Sequence, residues 1–112
     1  MNQSMLQDAL RAGKRIRQQR PEPDRSALLK HHIELNPQRP AAYEARTSED
    51  GIPIWVLVSS VDVAGGDIQS VADAYEIPCE AVEAALLYFL RYLDEITARI
   101  QGNRLPGAIH AG

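Results

Sequence analysis

A chain of 112 residues holds one domain, and with 45% apolar and 24% charged residues it has the composition of a soluble globular protein. No apolar run approaches the roughly 20 residues of a membrane span, and the charged N-terminus has no apolar segment behind it, so neither a spanning helix nor a secretory leader is expected and a cytoplasmic location is the default. The net charge of −3 is split, residues 1–40 giving 8 − 4 = +4 and residues 41–112 giving 4 − 11 = −7, and the single Cys excludes an internal disulfide.

Residues 4–19, SMLQDALRAGKRIRQQ, place Met5, Leu6, Ala9, Leu10 and Ile16 on one side of a weak amphipathic helix. Gly13 interrupts it, and so few apolar positions predict fraying unless something docks there. Arg11, Lys14, Arg15 and Arg17 cover the other side. With Arg20 they make residues 1–23 a basic arm, the expected place of phosphate contacts if DNA is bound. The alternative is an ordinary solvated surface.

Pro21 to Asp24 breaks the chain, and Asp24 is expected to cap a helix over 25–35. Leu28, Leu29, His32, Ile33 and Leu35 form its apolar side, and NPQRP, Asn36 to Pro40, ends it. A short hairpin is expected next, with strands AYEAR (42–46) and IPI (52–54) around the polar turn TSEDG. Pro53 restricts the second strand to an edge. Residues 55–64, WVLVSSVDVA, are β-branched as a strand would be. Ile54, Leu57, Val58 and Val61 nevertheless keep helical spacing, so a helix with Pro53 in its first turn is the expectation. Gly65-Gly66 stops it. Asp67 caps a short helix to about Tyr75, and Pro78 opens a long one to about Gln101. Gly102 and Pro106 end the order, leaving 104–112 as a tail.

The stretch GDIQSVADAYEIPCEAVEAALLYF (66–89) has the apolar offsets of a helix-turn-helix. Val71, Ala72, Tyr75, Ile77, Val82 and Ala85 would form the shared core, with Ala72 at the helix crossing and Glu76 at the turn position where glycine is commonest. The face turned to DNA would show Pro78, Cys79, Glu80, Glu83, Ala84 and Leu87. It has none of the Arg, Lys, Asn or Gln used in base readout, and its two glutamates repel phosphates. The helix is a poor DNA reader by itself.

The same helix carries Val82, Leu86, Phe89, Leu93, Ile96 and Ile100 at spacings of 4, 3, 4, 3 and 4, a heptad seam. Ala85, Tyr88 and Tyr92 lie beside it, and Ala84, Leu87 and Leu90 fill another side. A helix apolar nearly all round must be buried nearly all round, and this one would extend roughly 35 Å. Either the N-terminal helices fold back over it, or Val82, Leu86, Leu87, Phe89, Leu90, Leu93, Ile96 and Ile100 meet a homodimer mate or another protein. The interface is the preferred expectation.

Four stretches, HIELNPQRPAAYEAR, GIPIWVLV, VADAYEIPCEAVEAALLYF and ITARIQGN, together resemble the family called domain of unknown function 433. The resemblance covers roughly residues 28–103, and its most specific part is the run Val82 to Phe89 after the Tyr-x-Ile-Pro turn. Members are predicted antitoxins of the VapB kind, generally encoded beside a PIN-like toxin. The resemblance implies a mainly α fold with a homeodomain-like helix-turn-helix core after a short N-terminal β-hairpin. It also implies neutralisation of a ribonuclease toxin, with autorepression as a further role. Many relatives carry Arg or Lys just after the turn proline and basic residues after the aromatic pair. Cys79, and Leu93 with Asp94, stand there instead, which favours toxin binding over DNA binding. The expected organisation is a basic N-terminal arm or helix (1–23), a helix-turn-helix antitoxin-like domain (24–103) and a flexible tail (104–112).

Arg99 and Arg104 follow the seam. A guanidinium pairs bidentately with carboxylates, so either could enter the carboxylate cluster that holds metal in a PIN-type nuclease. The plain alternative is a helix C-terminus carrying favourable positive charge. His31 and His32 point about 100° apart on a helix and cannot chelate one metal together. Cys79 lies near a helix N-terminus, where a thiolate is favoured, but no base accompanies it. No catalytic constellation, metal site or cofactor site is evident, so a non-enzymatic binding protein is expected. Its rivals are a free-standing helix-turn-helix regulator and an oligomeric adaptor that binds no DNA.

Overall fold

A computed structural model describes residues 6–34 and 41–104, without the side chains of Ala42, Asn103 and Arg104. The first element, α1 (Gln7–Gln19), is the expected amphipathic helix, and it is well packed because α5 and α3 dock on its apolar side. Leu6, Ala9, Ala12, Gly13 and Ile16 are buried, while Arg11, Lys14, Arg15 and Arg17 face solvent. Leu6, just before the helix, has φ 62° and offers no side-chain cap. The cap comes from elsewhere in the chain. Asp62 Oδ1 accepts the backbone N–H groups of Asp8 and Ala9, both at 3.1 Å, two of the donors a helix start leaves unsatisfied. Gly13 is a contact point, not an interruption. A Cβ there would lie 3.2 Å from Leu90 Cγ and 3.4 Å from the Leu86 carbonyl, so its absence lets α1 come close to the later helix. The chain therefore shows no break in packing at residue 23.

The second helix, α2 (Glu22–His32), starts earlier than expected. Pro21 is its N-cap residue, and Asp24 sits inside the first turn, where its charge favours the helix dipole instead of capping it. Arg25 bonds Glu22 at 2.8 Å, and that bond, then one from Ser26, holds the Glu22 carboxyl below its ordinary range. Ile33 leaves the helix: β1 (Ile33–Glu34) pairs antiparallel with β2 (Arg46–Thr47), Ile33 opposite Thr47. The expected apolar residue Leu35 and the breaker Asn36 to Pro40 lie outside the described residues.

The expected hairpin is present in part. Arg46 bridges Pro53, Thr47 N–H donates to Ile52 O at 2.9 Å, and the turn closes with Gly51 N–H on Thr47 O. Thr47 is buried, and its hydroxyl accepts from Ile52 N–H at 3.0 Å. Ala42–Glu44 is a 3-10 turn, however, and the sheet partner of β2 is β1, more than ten residues upstream. A two-strand pairing set by long-range packing leaves no local periodicity to read.

The β-branched run folds as the helix α3 (Ile54–Val63), with Pro53 as its N-cap. Ile54, Leu57, Val58 and Val61 are all fully buried. Burial of each is worth about 1.5–3 kcal/mol, which outweighs a β-branched helix penalty of at most ~0.7 kcal/mol per residue. Gly65 and Gly66 then take φ 70° and 92°. Asp67 caps α4 (Ile68–Tyr75) through Ser70 N–H at 3.1 Å, and Glu76 ends it in the left-handed region, φ 58°.

The long last helix is two helices, α5 (Cys79–Arg91) and α6 (Leu93–Arg104). Tyr92, at φ −122° and ψ 49°, separates them. This corrects the single continuous helix. The break lets α6 pack on α3 and the Ala42–Glu44 turn while α5 lies among α1, α2, α3 and α4.

Candidate functional site

The α4–turn–α5 unit keeps the offsets read from the sequence. Val71, Ala72, Ile77, Val82 and Ala85 are buried together, and Tyr75, half-buried, shares a 2.8 Å hydrogen bond with the Ser60 hydroxyl. The face that a DNA reader would present is different from the expectation. Pro78 and Glu80 are exposed, but Ala84 and Leu87 are buried in a cluster with Ile16 of α1 and Leu28 of α2. Arg20 closes over this cluster: its guanidinium binds Glu83 Oε1 at 2.7 and 2.8 Å. The two N-terminal helices thus sheathe the outer side of α5, and Glu83 neutralises an arginine of the chain itself.

The expected interface through the heptad seam is corrected by the same packing. Val82, Leu86, Phe89 and Ile96 are fully buried, and Ile100 is 1% exposed, in one core with α1 and α3. Leu87 is also buried, and Leu90, half-buried, rests against Gly13; Leu93 is partly buried at the edge of the core. The N-terminal helices do fold back, so Val82, Leu86, Leu87, Phe89, Ile96 and Ile100 hold the protein together instead of facing a partner, while Leu90 and Leu93 keep part of their surface open. The sequence allowed this cover but made it the less favoured alternative, because α1 has a narrow apolar stripe. Its small residues Ala9, Ala12 and Gly13 bring the backbone close, which a count of large apolar positions cannot register.

Of the basic set, Arg11, Lys14 and Arg15 stand on the solvent side of α1. Arg11 pairs with Asp8 at 3.0 Å, and the Arg15 guanidinium lies 3.5 Å from Gly66 O. Arg17 is exposed, its carbonyl accepting from Arg25, whereas Arg20 is committed to Glu83. Four of the five basic side chains thus stand on the exposed side of α1, and Arg20 alone is drawn inward, onto Glu83. Packing brings Arg99 together with two aromatics distant in the chain: its guanidinium lies 5.0 Å from the Trp55 ring and 5.6 Å from the Tyr43 ring. The side chain of Arg104 lies outside the described residues.

His31 and His32 touch edge to face at 4.5 Å. They line an open groove of about 640 Å3 with Arg20, Asp24, Leu28 and Lys30. Burial, then the neighbouring His31 charge, lowers the His32 pKa against a weaker opposing pull from Glu80 and Glu49. The Cys79 thiol donates to Gln69 Oε1 at 3.1 Å. Burial and the charges of Glu80, Glu83 and Asp73 raise its pKa, so the helix N-terminus does not yield the thiolate that the sequence position suggests. Tyr88 packs on Tyr92 at 4.8 Å, and burial raises its phenol pKa to about 12.

Among the described residues no three His, Cys, Asp or Glu side chains are grouped to hold a metal ion, and no helix is long and apolar enough to cross a membrane. The arrangement offers surfaces for contact: a basic stripe on α1, an aromatic–arginine stack at α3 and α6, and open grooves beside α2 and between α3 and α4. No family model, no curated protein and no solved structure matches this chain.

Proposed function

We propose that this protein acts by binding another protein, as an antitoxin-like partner that neutralises a PIN-like ribonuclease toxin. The observation that carries the binding-protein reading is the covered face of α5. Ala84 and Leu87 lie under Ile16 and Leu28, and Glu83 is paired with Arg20. With Ala84 and Leu87 covered, the exposed part of that face is the start of α5, Pro78 and Glu80, which offers none of the side chains that read base edges, and this favours a protein partner over DNA. What supports the toxin as partner is the resemblance of residues 28–103, with its helix-turn-helix offsets. Val82, Leu86, Phe89, Ile96 and Ile100 of the heptad seam are internal, so a homodimer would meet through another face.

Arg99 and Arg104 remain the candidates for reaching the toxin's carboxylates. For Arg99 this means leaving the stack on Trp55 and Tyr43, at a cost of about 0.5–1 kcal/mol that a bidentate carboxylate pair readily offsets. The test is co-expression with the product of the adjacent reading frame, followed by affinity capture and a ribonuclease assay. A nuclease that co-purifies and is silenced supports the proposal. An adjacent frame encoding no nuclease, or full neutralisation by the double variant Arg99→Ala, Arg104→Ala, removes respectively the toxin and the arginine mechanism.

A second reading, contact with operator DNA and autorepression, is favoured by one feature: the outward stripe of Arg11, Lys14 and Arg15. Such contact would be to phosphates, so affinity should fall steeply with salt. A free-standing regulator predicts tight operator binding with no toxin present; an absence of any shift with promoter DNA at low salt sinks both versions.

A further inference from the structure

Ser26, Leu29 and Lys30 of α2, with Ile33 just past its end, follow one another at helical spacing and form a single row. With Tyr88 and Arg91 of α5 they line an open groove of about 390 Å3. A second opening, of about 210 Å3, shares Leu29 and Arg91 with the first and adds Arg17, Leu87 and Leu90. The two make one cleft along α2, whose 11 residues extend roughly 16 Å. Its floor is aliphatic: Leu29, Ile33 and Leu90 are half-buried, and Leu87 is nearly covered.

The rim is basic through the lining residues themselves. Arg17, Lys30 and Arg91 are exposed, and among the described residues none of their side chains joins a salt bridge. Glu22 is the one carboxylate among the described lining residues, and Arg25 already holds it at 2.8 Å. Glu95 acts on the Tyr88 phenol only behind burial and Tyr92. Three cations without internal counter-charges, set around an aliphatic floor, repel basic ligands and steer acidic ones. A single nucleic-acid strand is a poorer occupant, because its bases need open ring faces on which to stack. Tyr88 is 6% exposed with its ring on Tyr92, so Tyr92 is the accessible ring here. Aliphatic side chains fill such a floor, and a row at helical spacing receives the ridge of another helix.

We propose that the α2–α5 cleft docks an acidic amphipathic helix of a partner protein. Its apolar stripe would lie on Leu29, Ile33 and Leu90, and its Asp and Glu would meet Lys30, Arg91 and Arg17. This is the helix-in-groove mode, in which the apolar stripe gives affinity and the rim charges give orientation and rate. The inference rests on the reading of the protein as a protein-binding partner and adds the surface and the chemistry of the contact.

The test titrates isotope-labelled full-length protein with a short synthetic helix of Leu on one face and Glu on the other, with its Leu/Lys counterpart, and with a single-stranded oligothymidine. Amide shifts should concentrate in residues 26–33 and 87–92 with the Leu/Glu helix, weaken with added salt, and be absent with the other two. The double variant Lys30→Glu, Arg91→Glu reverses charge at two exposed positions. It should weaken the Leu/Glu helix by roughly tenfold or more and admit the Leu/Lys helix in its place. Should the double variant lose its fold, Lys30→Glu alone, which breaks no salt bridge, carries the test with about a threefold loss. Shifts located elsewhere, unchanged affinity in a folded variant, or equal binding of the Leu/Lys helix or the oligothymidine overturns the proposal. So does occupation of the cleft by a second copy of the chain, seen as shifts of the same residues when the free protein is diluted. An adjacent-frame product captured equally well by the wild type and by the charge-reversed variant overturns the cleft while leaving the binding-protein reading in place. Failure to neutralise any nuclease, with the peptide still bound at the cleft, does the reverse.

Discussion

Leu87→Ala tests whether α1 and α2 really sheathe α5. Leu87 is 6% exposed and shares a cluster with Ile16, Leu28 and Ala84, contributed by three helices. Large-to-small truncation of a buried Leu costs about 2–5 kcal/mol, the lost transfer energy plus a term for the cavity left behind. The site borders a groove lined by Arg17, Leu29 and Leu90, so neighbours can partly collapse into the gap. The low end, about 2–3 kcal/mol, is therefore expected, a fall of roughly 8–20 °C in Tm for a domain of this size. If this face of α5 stood bare, as in a helix that reads DNA, the same truncation would change stability by no more than about 0.5 kcal/mol. Urea denaturation followed by circular dichroism separates the two, provided the slope is unchanged. A variant that folds normally with an unmoved midpoint refutes the covered face. The double variant Leu28→Ala, Leu87→Ala should also depart from additivity, because the two side chains share one cavity.

Asp62→Ala removes the acceptor of the Asp8 and Ala9 amides and should cost about 0.5–2 kcal/mol, as loss of an N-cap does; faster hydrogen exchange confined to the first turn of α1 is the signature, and Asp62→Asn should recover much of it. Arg99→Ala should shift the emission of Trp55, the single tryptophan, and lower stability by no more than about 1 kcal/mol; unchanged fluorescence would contradict the stack. Tyr88, with its pKa raised from 10.0 to about 12, stays neutral in the folded protein while the unfolded chain ionises, so its contribution is complete below pH 10 and is lost as the pH rises towards 12. A spectrophotometric titration in which every tyrosine ionises together near pH 10 would contradict its burial. His32 works in the opposite direction: its pKa lies below 6.5 in the folded state, so its contribution is present above pH 6.5 and is lost as the pH falls through the folded value, which a nuclear magnetic resonance titration of the ring reads directly.

Much of the local structure was legible in the residues themselves. Ile54, Leu57, Val58 and Val61 fixed α3 as a helix against their own β-branched preference, because four apolar groups at helical spacing have one way to be buried together. Asp67 announced its cap, and Val71 to Ala85 the crossing of α4 and α5.

What covers what was decided only by the tertiary structure. The apolar excess after Val82 stated that something must bury it, and it is equally compatible with a partner and with the chain itself. Two features settled that question, and neither has a local signature. One is Gly13, whose missing side chain lets α1 approach Leu86 and Leu90 closely. The other is the break at Tyr92, which turns one heptad seam into two helices and sends Ile96 and Ile100 into the core of the same molecule. Spacing along a chain specifies which side chains share a face. Which surface meets that face depends on contacts between residues 50 or more apart, such as Asp62 with Asp8 and Arg20 with Glu83, and these exist only once the helices have packed.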